Sequence, residues 1–195
     1  YLPPEALLPK HTHAIFELDN GRRLVFTDQR HFGLMKLVTE SELAGTKELS
    51  RLAPEPFSPD FTPDYLQAAL KRSRRNLKET LLDQTRVVGL GNIYAAEALY
   101  LARINPFSIA SELSRRRVPR LHNSILAVLS EAIAHGSTMN VDPEDIEGSY
   151  YGGGYAGHWR VYGREGEPCP ACRARVRRIM HAGRSTFFCP RCQQR

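Results

Sequence analysis

Cysteine is missing from the first 168 residues of this 195-residue chain; all four cysteines fall between positions 169 and 192. That distribution excludes a disulfide framework spread through the fold. Long apolar runs are missing as well. No stretch approaches the roughly 18–20 apolar residues of a membrane-crossing helix, so no membrane partner is expected. No basic leader followed by an apolar stretch and a small-residue cleavage site is seen, and no secretory signal is expected. The chain opens Tyr1-Leu2-Pro3-Pro4 without methionine, so translation is expected to have begun upstream. Lysine is absent from Trp159 onward, where nine arginines face only Glu165 and Glu167, a net charge of +7. The other 158 residues hold 18 basic and 19 acidic groups, a net of −1. With 42% hydrophobic and 25% charged residues, the chain suits one or two globular domains with a real core. An arginine-rich tail on a near-neutral body points to a polyanion, nucleic acid first; a merely solvated basic surface is the alternative.

The cysteines form two C-x-x-C pairs, Cys169/Cys172 and Cys189/Cys192, with sixteen residues between them. Each pair lets two thiolates chelate one ion from a tight turn, and two such turns complete a tetrahedron around Zn²⁺. Two disulfides in one small corner are the competing reading. Four thiolate ligands leave no open position, so the expected metal is structural. Between the pairs, Arg173 to Ile179 alternates arginine with β-formers, Ala182-Gly183 makes a turn, and Thr186-Phe187-Phe188 follows. This is a β-hairpin with Arg184 at its tip.

Upstream, Thr12–Leu18 and Arg22–Thr27 flank Asp19-Asn20-Gly21, a hairpin turn, and Phe32–Val38 is expected as a third strand. Four prolines between Leu52 and Pro63 read as a linker. Thr62-Pro63 is a helix start. Helical apolar stripes follow, around Tyr65–Leu70, Leu77–Leu82, Ile93–Leu101 and Ile125–Ile133. The last is expected to begin near Val118 and to stop at Gly136. Gly89-Leu90-Gly91-Asn92 separates two helices. It serves either as a plain turn or as a phosphate seat at a helix N-terminus, with Asn92 adding a side-chain donor. Lys71, Arg72, Arg74, Arg75 and Lys78 lie just upstream. Residues 149–157 hold four glycines and three tyrosines, and read equally as a flexible linker or as a loop that closes over a flipped base.

Gly89-Leu90-Gly91-Asn92-Ile93-Tyr94, then Ala96-Glu97-Ala98-Leu99 and Ile104-Asn105-Pro106, closely resembles the helix–two-turn–helix region of the bacterial formamidopyrimidine-DNA glycosylases. Val161-Tyr162-Gly163-Arg164-Glu165-Gly166-Glu167-Pro168-Cys169, with the cysteine spacing, resembles that family's zinc finger. Asp28-Gln29-Arg30-His31-Phe32-Gly33 resembles its D-P-R-R-F-G loop, with Gln29 in place of proline and His31 in place of arginine. The endonuclease VIII branch shares the architecture; Ile104-Asn105-Pro106 favours the first group.

The resemblance implies an α+β fold. Its parts are a partial antiparallel β-sandwich (1–51), a linker (52–63), a helical domain with the helix–two-turn–helix and a lesion-capping loop at 149–157 (64–158), and a zinc-finger β-hairpin (159–195). It implies base-excision repair, with removal of 8-oxoguanine and formamidopyrimidines from duplex DNA followed by nicking of the abasic site. Further implications are one structural zinc on Cys169, Cys172, Cys189 and Cys192, a monomer, and a cytoplasmic, nucleoid-associated location. Arg30 matches the arginine that fills the gap left by the flipped base, and Phe32 the wedge beside it. His11, Arg74, Lys78, Asn92 and Tyr162 match phosphate-contacting positions. Arg184 matches the arginine that grips phosphates at the lesion and donates a proton in δ-elimination. The family's nucleophile, an N-terminal proline, and its companion glutamate and hairpin lysine have no match; the nitrogen of Pro4 is an amide. The 195 residues are therefore expected to be a fragment that binds DNA without cutting it. A non-catalytic module for abasic or damaged DNA and a zinc-ribbon RNA-associated protein are the alternatives.

Overall fold

A computed structural model describes residues 1–136 and 153–194. Strands β1 (Thr12–Glu17) and β2 (Arg23–Thr27) form an antiparallel hairpin in which Phe16 opposes Leu24, with a bulge between Thr12 and Ala14. The reversal falls at the expected Asp19-Asn20-Gly21, where Gly21 takes φ +76°, a conformation open to glycine at little cost. Leu2 bridges to Arg23 beside this pair.

The third strand expected over 32–38 does not form; these residues have no regular secondary structure. The Asp28 carboxylate accepts the backbone N–H groups of Arg30 and Gly33, which curls the chain away from β2. A run of β-formers becomes a strand only beside a ladder partner, and Leu34 and Leu37 stay exposed instead. A short helix, α1 (Glu40–Leu43), follows, started by a capping box between Thr39 and Glu42.

The prolines between Leu52 and Pro63, expected as a linker, are packed rather than free. Ala53 N–H donates to the Gln84 carbonyl, and Phe61 is buried, stacked on His122, whose ring bonds the Phe61 carbonyl. Helix α2 (Pro63–Lys71) starts as expected, with Thr62 accepting the Tyr65 N–H and Pro63 in the first turn. Asn76 caps α3 (Leu77–Leu81) in the same way. Helix α4 (Asn92–Leu101) follows the glycine turn, and α5 (Val118–Ala134) begins at the expected position, with Pro119 in its first turn. Gly136, at φ +73°, follows the end of α5.

Helix α4 is apolar on nearly every side because it separates two cores. Ala95, Ala98 and Leu99 pack with α2, α3 and α5. Ala96 and Tyr100 pack with Val161, Val176, Phe187 and the cysteines. The C-terminal hairpin pairs β3 (Arg177–His181) with β4 (Arg184–Phe188), turning at Ala182-Gly183 with φ of +48° and +71°. Two positive φ values match the right-handed twist of a tight hairpin.

Of the expected capping loop 149–157, residues 149–152 lie outside the described residues. Gly153 caps a 3₁₀ turn, Gly154–His158, in which Tyr155 is wholly buried against Tyr94 and His135. Tyr155 is thus a packing residue, and its ring has no free face for a flipped base.

Candidate nucleic-acid interface and zinc centre

The four cysteine sulfurs all lie within 4.8 Å of one another, and none is in a disulfide. Cys169 Sγ and Cys192 Sγ are 3.8 Å apart, Cys172 Sγ and Cys189 Sγ 3.5 Å. A tetrahedron with Zn–S bonds of ~2.3 Å has S···S edges of about 3.8 Å, so the donor set fits zinc. One structural zinc ion belongs here, and all four of its positions are taken by sulfur. Tyr100 Oη lies 3.3 Å from Cys169 Sγ. Burial, and then its bond to that sulfur, push the phenol above its ordinary pKa, so it stays a donor. Gln193 locks the second knuckle to the helices: its Oε1 accepts the Cys189 N–H, and its Nε2 donates to the Ile104 carbonyl.

The hairpin held by this centre meets α3 and α4 at one point. Lys78 Nζ donates to the Ser185 carbonyl at 2.8 Å and to Thr186 Oγ1 at 2.7 Å. Asn92 Nδ2 donates to the same Ser185 carbonyl at 3.1 Å and to Tyr162 Oη at 3.4 Å. Lys78, Asn92, Tyr162 and the hairpin tip are thereby brought together. Lys78 is only 3% exposed, and burial, aided by the Arg184 charge, lowers its pKa to about 8. Both Asn92 amide hydrogens are engaged within the protein, so its side chain is not the free donor expected. The other donors at this spot are the backbone N–H groups of Asn92 and Ile93 that begin α4, whose N-cap Gly91 offers them no side-chain acceptor.

Arg184 is exposed and, with Lys78, Arg75, Glu79, Asp83 and His181, lines a cleft of about 350 Å³. Arg74 is exposed just before α3. Arg30 and Phe32 form a second group on the loop of residues 28–33. The Arg30 guanidinium lies over the Phe32 ring, 4.9 Å from its centroid, and that ring is 78% exposed. Backbone donation by Gly33, ahead of that by Arg30 and His31, lowers the Asp28 pKa, so the carboxylate stays charged and holds the loop. His31, at φ +54°, completes the tight turn. His11, also at positive φ, is exposed beside β1.

Residues to which the sequence reading gave no role also organise the interface. Glu97 on α4 is fully buried and accepts the backbone N–H groups of Arg160, Val161 and Tyr162, each at 2.9 Å. Burial raises its pKa, while those three donors and the Arg160 charge pull it back down. Arg160 Nη2 in turn donates to both carboxylate oxygens of Glu131, at 2.9 and 2.8 Å. The signal for Glu97 was a lone acid in an otherwise apolar helix. Gln193, near the chain end, carried no such signal.

Residues 52–142 match the formamidopyrimidine-DNA glycosylase H2TH domain, and residues 166–195 match the zinc finger found in FPG and IleRS. The chain is 44% identical over 194 residues to the formamidopyrimidine-DNA glycosylase of Desulforamulus reducens, an alignment covering all of this chain and 69% of that protein. The chain belongs to the formamidopyrimidine-DNA glycosylase family. Among solved structures, the MutM (Fpg) protein of Thermus thermophilus superposes with a TM-score of 0.85 at 40% identity, over 98% of this chain and 71% of that one. A variant of the Lactococcus lactis protein, bound to Fapy-dG-containing DNA, superposes with a TM-score of 0.88 at 34% identity, over the whole of this chain and 70% of that one. The α+β fold and the zinc centre expected of the family are both present.

Proposed function

We propose that this protein is a base-excision repair DNA glycosylase with abasic-site lyase activity. It acts on oxidised purines, 8-oxoguanine and formamidopyrimidines, in duplex DNA, and these 195 residues supply its grip on the damaged duplex. One observation carries the reading. Lys78 and Asn92 donate to the Ser185 carbonyl, Tyr162 meets Asn92, and Arg184 lines the cleft beside Lys78, so four separate segments converge on a hairpin that zinc keeps rigid.

In this reading the first turn of α4 and Arg184 bind the phosphates flanking the lesion, and Lys78 sets the hairpin while its third N–H and its charge face the DNA. Arg74 and His11 extend the phosphate track. Arg30 and Phe32 fill and wedge the gap in the stack; an aromatic ring left this exposed on a turn fits a side chain meant for a base step. The zinc does no chemistry. Sequence boundaries near 52–63 and 159 divide the chain into strand, helix and zinc-finger parts. The protein works as a monomer in the compartment that holds the chromosome, the cytoplasm of a bacterium.

The test is a salt titration of binding to an abasic-site duplex. Arg184→Ala should weaken binding similarly in every sequence context and reduce the slope of log K against log salt by about one unit. A loss confined to one base context would assign Arg184 to base reading instead. Preference for structured RNA over the abasic duplex would sink the repair reading.

A further inference from the structure

Outside its arginine-rich tail the chain is near neutral, yet beyond the Lys71–Lys78 run that leads to the interface its positive charge is gathered again. Between Arg103 and Arg120 it carries five arginines and one acid, Glu112. Arg115–Arg117 form a 3₁₀ turn that runs directly into α5, whose first turn holds no acidic residue. Cations at that end of a helix oppose its dipole, so the arrangement is not there for helix stability. Arg117 donates to the Arg103 carbonyl at 2.8 Å and Arg120 to the Leu101 carbonyl at 3.2 Å, which fixes both guanidinium groups beside the end of α4. Among the described residues Arg115 pairs with solvent-exposed Asp64, and Arg116 is exposed. Beside this cluster opens a cleft of about 360 Å³ walled by Phe107, Ile109 and Leu113, with Glu112 and Arg117 among the polar residues of its lining. Asn92 begins α4 and Leu101 ends it. At ~1.5 Å per residue the cluster's anchor on α4 is about 14 Å along the helix from the Asn92 end.

We propose that this face docks an acidic peptide segment of a partner protein, with one apolar side chain entering the cleft and flanking carboxylates meeting Arg115, Arg116 and Arg117. Charge complementarity selects an acidic occupant, and the cleft selects a peptide over a nucleic acid. Phosphodiester backbones need cations but no apolar cavity. A cavity near the ~300 Å³ lower limit for ligand sites suits one side chain. Arginines around an apolar pocket are also the composition that dominates peptide-binding energetics.

Fluorescence anisotropy of the 195-residue chain tests this. The probe is a labelled heptapeptide with one phenylalanine flanked by three aspartates on each side. The expected Kd at low salt is about 50 μM or tighter. Arg116→Glu, which disturbs no packed side chain, should weaken it about tenfold with zinc content and circular dichroism unchanged. Serine in place of the probe's phenylalanine should cost about tenfold as well. Absence of binding, equal binding of the serine probe, or indifference to Arg116→Glu would each overturn the proposal. So would displacement of the probe by an undamaged duplex whose own affinity falls with Arg116→Glu, because the face would then be a nucleic-acid surface.

Discussion

Two buried ionisable side chains set the geometry of the interface, and each makes a separable prediction. Glu97 turns one carboxylate into three backbone hydrogen bonds at the entry to the zinc finger. Glu97→Gln keeps the shape but replaces an accepting oxygen with an N–H group facing N–H donors. It also leaves Arg160 with one carboxylate instead of two. A loss of about 2–4 kcal/mol in unfolding free energy by chemical denaturation is expected, with Tyr162 and hence Asn92 loosened. A change below half a kcal/mol would show that these bonds are replaceable. Lys78 has its pKa depressed to about 8, mainly by burial, against roughly 10.4 in an unfolded chain. Between those values the unfolded state binds the extra proton, so this lysine's contribution to stability grows as pH rises from 8 to 10.5 and is lost as pH falls through 8. Measured against Lys78→Met, the wild-type chain should gain up to about 3 kcal/mol over that window. A flat difference would mean that Lys78 is not desolvated as its 3% exposure implies.

The zinc hairpin and α4 are the elements on which the interface depends. A two-stranded hairpin cannot stand alone, and β3/β4 lean on the metal, on Phe187 against Tyr162, and on Gln193. Cys189→Ser should therefore abolish zinc binding, melt the hairpin and remove measurable DNA affinity, because metal affinity here is folding energy. The core formed by α2, α3, α4 and α5 is a separate cluster, so most of the helical circular dichroism should survive. Unchanged zinc stoichiometry and DNA affinity would overturn the assignment. Much of this element layer was legible in the sequence. C-x-x-C spacing, Thr62-Pro63, the turn at Ala182-Gly183 and the start of α5 are local chemistry, and local chemistry fixes caps, knuckles and tight turns. The strand expected over 32–38 was not legible, because strand formation needs a partner that no local pattern supplies. The packing of 52–63 was hidden for a related reason: prolines break helices, but only the fold shows Phe61 seated on His122. The convergence on the Ser185 carbonyl was invisible for the same cause, since it joins residues about a hundred positions apart.

At the scale of the whole molecule, the proposed function separates the groups that grip DNA, which it assigns to these 195 residues, from the amine that attacks it. Their prolines all lie within the chain, so each proline nitrogen is an amide with no basic lone pair to form a Schiff base. Buried Lys78 directs two of its N–H groups into the hairpin. The strands near the start carry Ile15, Phe16 and Leu24, each 40–44% exposed. A polypeptide of these residues alone is expected to bind an abasic-site duplex weakly. Under borohydride it should give no covalent adduct beyond a slow background from its α-amine or exposed lysines. The same residues placed behind an upstream segment that starts with proline should trap the duplex efficiently and release 8-oxoguanine, since the nucleophile then meets a grip already built. Efficient trapping by the 195-residue polypeptide itself would reverse this division of labour. Lys78, with its pKa near 8, would then be the first amine to test, and loss of the adduct in Lys78→Met would identify it as the nucleophile.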